Sequence, residues 1–561
     1  MKRIYSFLSL FIITNTLFAN GTLIDGIYYV LTTSNYTAMV TYTGTQYSKS
    51  TYSGDIIVPD TVEFGGKKYK VTSIDQAAFY QSANLTSVVL PNSIVSMGTA
   101  AFSNCVNLKS ATLPDKLSTI DQAAFYECNQ LESVQMPTVV NIISASAFYN
   151  CGKLSSVDLP SGLSMISEYA FYGCDNLTSV DIPATVTKIE QGAFANCSNL
   201  TDINIDSNNS TYCSEDGIVY SIDYKTILQY PANRIGHITI RDGVTSIYNY
   251  AFSGCKMSSL DIPNTVESIL SHAFRECINL SQTIIPNSVT TLGQGGFYEC
   301  TNLNFVQLSN KISSIAANTF YGCTNLKSII IPPSVSSLGA FCFQNCSQLK
   351  TVFCLSLTPP TLSSLVFKDI SSFATLYVPT EAVESYQSIN GYSTSFAEIK
   401  SMTIGESEVE DITETSAVFK WLPDTAVTQY TITIYTDGNP FATYTVNADG
   451  TVIDSQRFAP QIIKGDTTVS TSEYFVLTIN QLSASTNYTY TIKGVNSVNE
   501  PVYYEEGAFR TEDEQKLPSS FEQRLTTNDQ RLTTGIKFLR NGHLLILHNN
   551  HLYNTSGTRI E

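Results

Sequence analysis

Ala101-Phe102-Ser-Asn-Cys105-Val-Asn-Leu108 and Ala124-Phe125-Tyr-Glu-Cys128-Asn-Gln-Leu131 are two copies of one phrase: Ala-Phe, two residues, Cys, two residues, Leu. The phrase runs from Ala78-Phe79 to Cys346, with its phenylalanine at 79, 102, 125, 148, 171, 194, 252, 274, 297, 320 and 343. All but two of the steps are 23 residues. A fixed period of this length marks one supersecondary unit stacked on copies of itself, because so short a unit cannot bury its own apolar face. The expected architecture is a right-handed solenoid of about twelve coils, roughly 55 to 60 Å long at about 4.8 Å per coil.

Working outward within one copy, Leu177-Thr-Ser-Val180-Asp181-Ile182-Pro183 alternates apolar and polar residues, so Val180 and Ile182 point inward and Asp181 outward from a short strand. Pro183 ends it, since proline cannot donate a ladder hydrogen bond; prolines at 91, 114, 137, 160, 263, 286 and 332 stop the other copies at the same place. Stacking such strands gives a parallel sheet. The outward position reads Val89, Thr112, Gln135, Asp158, Asp181, Asn204, Asp261, Ile284, Gln307, Ile330 and Phe353. Packing constrains it least, which makes it the candidate partner-binding face. Asp158, Asp181, Asn204 and Asp261 supply polar contacts, and Phe305, Ile330 and Phe353 an apolar patch toward the C-terminal end. Asp158 and Asp181 are expected in adjacent rows, where like charges would favour a cationic partner or ion. Two bland readings stand beside these: solvated carboxylates, and an apolar end covered by a closing cap.

The phrases Leu-x-x-Val-x-Leu-Pro and Ala-Phe-x-x-Cys-x-x-Leu closely resemble the BspA-like leucine-rich repeats of bacterial surface proteins, over roughly Val71 to Cys354. The resemblance implies a secreted or surface protein that binds host or bacterial macromolecules, protein or glycan. It brings no catalytic residue with it. Ten cysteines, at 105, 128, 151, 174, 197, 255, 277, 300, 323 and 346, keep the period beside the phenylalanine. They read as small buried fillers, with bridges between neighbouring coils as the alternative. A regular line of thiols does not offer the convergent set that zinc takes.

The chain opens Met1-Lys2-Arg3, follows with the apolar run Ile4 to Ile13 and reaches Leu17-Phe18-Ala19, which fits an export signal over residues 1–19. Residues 20–70 then read as an N-terminal cap, with a hairpin about Gly65-Gly66. The solenoid occupies 71–400, with an inserted hairpin at 208–243 that serves either as a contact loop or as a widened coil. Residues 407–511 alternate as strands. The lone Trp421 on an early strand, and Leu482 ahead of Tyr488, resemble a fibronectin type III sandwich. After a linker at 512–534, residues 535–561 carry Asn541-Gly542 and Tyr553-Asn554-x-x-Gly557 and resemble the short C-terminal sorting domains of type IX secretion in Bacteroidetes. That resemblance implies the outer surface of a Gram-negative bacterium. The fold class is mainly β: a leucine-rich-repeat solenoid with a parallel sheet, then an antiparallel β-sandwich, then a small C-terminal β module.

A formal charge of −17 with 31 Lys+Arg argues against nucleic acid and anionic lipid as partners. No run after the signal is long enough for a membrane span. Phosphate loops, His-Glu-x-x-His helices and Gly-x-Ser-x-Gly elbows do not occur, and His543, His548 and His551 would alternate faces on a strand. No catalytic residue, cofactor or metal is therefore expected. The reading is a monomeric, non-enzymatic binding or adhesion protein. A passive coat component is the alternative, and an accessory of a carbohydrate-active enzyme a more distant one.

Overall fold

A computed structural model describes residues 21–404 throughout; beyond them it describes 407–410, 412, 416–421, 424, 426–436, 439–448, 452–457, 475–480, 482–483, 486–497, 501–511 and the strands at 536–540, 543–548 and 551–554. The chain divides into two compact units, Met1–Ile404 and Gly405–Glu561.

In the first unit, strands Thr22–Ile24, Ile27–Thr32 and Thr37–Thr41 form an antiparallel meander. The last of them runs parallel to Lys67–Ile74, which also pairs antiparallel with Thr61–Phe64. The hairpin between these two turns on Gly65 and Gly66, both with positive φ (59° and 71°). That is the conformation in which glycine alone carries no Cβ penalty.

The following coils carry two sets of parallel strands. The longer set includes Asn84–Val89, Ser110–Thr112 and Ser133–Gln135, then Ser179–Ile182 with Asp202–Ile205, then Gly236–Thr239 through Phe305–Gln307, and Ser328–Ile331 through Glu398–Ile404. The shorter set consists mostly of two-residue rungs, such as Thr119–Ile120, Ile142–Ile143, Met165–Ile166 and Lys188–Ile189. The expected parallel sheet is present. One row is missing: Asp158 lies on irregular backbone, and no strand forms over 155–159. There the ladder bond from Ser155 N–H to Glu132 O stretches to 3.4 Å, against 2.9 and 3.0 Å at Lys109 and Glu132. Ser258-Ser259, at the place of Ser155-Ser156 in a later coil, lies on the strand Met257–Asp261, so the serine pair does not account for the gap.

The phenylalanines form two stacks inside, one from Phe79 to Phe194 and one from Phe252 to Phe367. Phe102, Phe125, Phe148, Phe171 and Phe194 are buried, and successive ring centroids lie 5.2–5.4 Å apart. Most of their carbonyls accept two bonds. Phe102 O takes Cys105 N–H at 3.1 Å and, from the next coil, Cys128 Sγ–H at 3.1 Å. This explains why the period places cysteine there: the thiol is small enough for the core and still satisfies a buried acceptor. All thirteen cysteines are free thiols. Burial pushes the Cys105 thiol up to about 12, with the Ser82 backbone N–H opposing weakly.

A second regularity surrounds each phenylalanine. The residues two before and two after it, such as Ala100 and Asn104 or His272 and Glu276, have positive φ, from 54° to 75°. These alternating left-handed residues aim three N–H groups at the next coil: Ala100 to Gln122 O, Phe102 to Ala124 O and Asn104 to Tyr126 O, at 2.9, 2.8 and 2.6 Å.

The insertion forms a meander of Tyr212–Glu215, Ile218–Ser221 and Thr226–Gln229, the last joining the shorter sheet beside Ser246–Ile247. Val219, Tyr220 and Ile227 are buried and Tyr230 stacks on Phe252 at 4.6 Å, so the segment widens a coil and supplies a rung of its own.

In the second unit, Ser407–Glu410, Ser416–Trp421 and Phe475–Asn480 make one antiparallel sheet. Gln429–Thr436, Asn439–Asn447, Val452–Arg457, Asn487–Val495 and Pro501–Arg510 make another. Their shared core includes Phe419 edge-on to Tyr490 (4.8 Å) and the buried Trp421 edge-on to Tyr430 (5.7 Å). Tyr488 Oη accepts the Ser483 N–H at 2.8 Å. Most of the long Ala448–Ser472 stretch lies outside the described residues. The C-terminal strands Ile536–Arg540, His543–His548 and His551–Asn554 pair antiparallel, and the side chains of their three histidines lie outside the described residues.

Candidate binding surface

Alternation along the longer strands leaves two outward columns. One is serine-rich over the first coils: Ser87, Ser110, Ser133 and Ser179, of which the last three are exposed. The other is the candidate column. Val89, Thr112, Gln135, Asp158, Asp181 and Asn204 are exposed, while Asp261, Ile284, Gln307 and Ile330 are half-buried.

The structure rearranges the expected acidic pair. With no strand at 155–159, Asp158 and Asp181 do not face each other in paired rows. Asp181 stands opposite Asn204, whose Nδ2 donates to Asp181 Oδ1 at 2.9 Å. An amide therefore partners Asp181 on its following row, and no carboxylate stands opposite it in a paired row. Farther back, Asp55 Oδ1 accepts from Ser87 Oγ at 2.6 Å and Thr86 Oγ1 at 2.7 Å. These two bonds, Ser87 first, hold its carboxyl below the usual range.

The apolar end also departs from expectation. Phe305 and Ile330 are half-buried, and Phe353, opposite Ile330 in register, is only 7% exposed. It stacks on Tyr377 at 5.3 Å, and Tyr377 is itself buried. An outward residue with a ring on its neighbouring row is not an open contact surface. The face accessible to a macromolecule therefore lies on the earlier coils.

Sequence reasoning missed a second surface feature, a ridge of rings beside the phenylalanine stack. Tyr126, Tyr149 and Tyr172 stack at 4.8 Å steps. The path continues through Tyr169, Tyr250 and His272 to Tyr298 and Tyr321. Arg275 lies 4.3 Å over Tyr298 and pairs with Glu276 at 2.7 Å, while Asn196 Nδ2 donates to Glu276 Oε2 at 3.0 Å across the insertion. The signal was present one residue after Phe79, Phe125, Phe148 and Phe171, where Tyr recurs; Ser103 and Ala195 interrupt it. Because the rings cover one another's faces, the ridge presents edges and hydroxyls.

Among the described residues, no helix is long and apolar enough to cross a membrane. Nor does any group of three or more His, Cys, Asp and Glu side chains there come together as a metal site.

No curated protein matches the chain. Among solved structures it is similar to a leucine rich cell surface protein from Faecalibacterium prausnitzii A2-165, at 25% identity over 68% of this chain and 94% of that one, TM-score 0.45. A leucine-rich repeat protein from Bacteroides ovatus is 23% identical over 68% and 100% of the two chains, TM-score 0.37. The pneumococcal vaccine antigen PcpA is 19% identical over 69% and 99%, TM-score 0.50, which is a likeness of fold. The family model of the BspA type leucine rich repeat region matches at residues 66–163, 120–228, 229–350 and 296–420. That span takes in the phenylalanine stack, the thiol column and both parallel sheets, and the chain belongs to the BspA-type leucine-rich repeat family.

Proposed function

We propose that the chain is an exported, cell-surface repeat protein that binds a protein or glycan partner along the outer face of its longer sheet, without catalysing a reaction on it. One observation carries the reading: Thr112, Gln135, Asp181 and Asn204 stay exposed and polar in a column whose packing leaves them free to vary. The basic start and apolar run at the N-terminus, and the naming of a similar structure as a cell surface protein, support display outside the cell. The fibronectin-like reading of the second unit rests on Trp421 and on the Tyr488 hydroxyl tied to Ser483 N–H, and makes that unit a spacer. The C-terminal module would direct sorting to the outer surface.

Two measurements test this reading. Protease shaving of intact cells should release solenoid peptides from the full-length protein and none after deletion of residues 535–561; equal release would remove the sorting role. Purified protein, immobilised and challenged with host-matrix and bacterial-surface extracts, should retain one saturable partner. Retention of none would leave the passive coat component in its place.

A further inference from the structure

The widened coil brings a histidine onto the outer sheet face. Strand Gly236–Thr239 pairs in parallel with Met257–Asp261, placing His237 opposite Ser259 and Thr239 opposite Asp261. His237 Nδ1 lies 2.9 Å from Ser259 Oγ. On the other side of the ring, Nε2 lies 3.0 Å from Asp261 Oδ2, and Thr239 Oγ1 is 3.4 Å from the same nitrogen. The His237 side chain is 46% exposed and that of Asp261 18%.

The Asp261 carboxylate can only accept, so in the tautomer that carries its proton on Nε2 the imidazole donates to Asp261 and offers Nδ1 as the acceptor for the Ser259 hydroxyl. A hydroxyl on a base that a carboxylate orients is the arrangement that turns serine into a nucleophile. The two ring nitrogens exchange the roles they have in serine proteases. Nothing periodic demands it, because the equivalent Ser110, Ser133 and Ser179 face Ser or Asp in the neighbouring rows.

We propose that Ser259 is a nucleophile activated by His237 and Asp261, forming a site that takes activated acyl groups such as esters. Ser259 Oγ bonds to the carbonyl carbon as its proton passes to His237 Nδ1. The C–O bond to the leaving group then breaks, and the departing alcohol takes that proton. Water, deprotonated by the same nitrogen, releases the acid and restores the serine. Gln282 stands opposite Ser259 in the following row. The face is open to water and provides no enclosed pocket, so the reactivity is slow and directed at good leaving groups.

The test uses full-length protein and a fluorophosphonate probe, in which Ser259 Oγ attacks phosphorus and fluoride leaves with the proton. Mass spectrometry should place the label on Ser259. Ser259→Ala should abolish it, and His237→Ala and Asp261→Asn should slow it at least tenfold at unchanged Tm. Ser179→Ala, an exposed serine of the same column, should leave it as it is. Absence of label on the parent, or equal labelling of parent and Ser259→Ala, overturns the proposal. Either result leaves partner capture, measured separately, as it stands.

Discussion

The coil turns on residues in a conformation that side chains disfavour, at a cost of about 1 kcal/mol or more each. Ala100, Glu127, Tyr169 and His272 accept it because their N–H groups, and that of the phenylalanine between each pair, find carbonyls in the next coil. Phenylalanine and cysteine were legible because burial fixes their type in every copy. The left-handed positions were not, because backbone geometry tolerates Asn, Gly, Glu or Tyr there and leaves no single letter to repeat. His272 shows what such a position can hold. Its ring stacks on Tyr250 at 4.8 Å and its Nδ1 is buried without a hydrogen-bond partner. Burial, and after it the Arg275 charge, lower its pKa to about 4, with Glu276 opposing. Between that value and the unfolded value of about 6.5 the unfolded chain binds a proton that the folded chain does not, so stability falls as pH falls through the window. His272→Phe keeps the stack and removes the titration. Thermal melts at pH 7 and pH 4.5 should then differ less for the variant than for the parent, by about 1 kcal/mol after allowance for partial exposure. An unchanged difference would mean that His272 titrates as in solvent.

At the scale of the element, the strand-ending prolines and inward Val and Ile gave the parallel sheet its register before any coordinates. Two elements escaped. The 155–159 row forms no strand although its phrase is intact. In the widened coil Tyr230-Pro231-Ala232 takes the place of Ala-Phe, so the phrase does not mark this rung although the Tyr230 ring stacks on Phe252. For the same reason His237 went unread as a neighbour of Ser259. The stack contributes to cohesion between coils beside the backbone bonds. Phe171 is fully buried between Phe148 and Phe194, at 5.2 and 5.4 Å. Phe171→Ala should cost about 3 to 5 kcal/mol, felt chiefly by the adjoining coils because a solenoid is stabilised by nearest neighbours. Hydrogen exchange resolved along the chain should show lost protection centred on residues 148–194, and uniform protection would contradict a stacked core.

For the whole molecule, composition excluded partners better than it identified one: a charge of −17 disfavours polyanions and leaves proteins and neutral or basic glycans. The candidate site was legible in part. The outward column follows from strand alternation and stands exposed over the early coils, but its apolar end was misjudged because Phe353 is covered, which no single repeat can reveal. The tyrosine ridge then provides the comparison surface, since its residues belong to the same coils and point elsewhere. The decisive measurement is a titration of the captured partner against the parent, against a Gln135→Ala, Asp181→Ala, Asn204→Ala variant, and against Tyr149→Ser on the ridge, with each Tm recorded. Binding through the sheet face predicts at least tenfold weaker affinity for the triple variant at unchanged Tm, and parental affinity for Tyr149→Ser. The reverse pattern, with the triple variant binding as the parent does and Tyr149→Ser losing the partner, would contradict it.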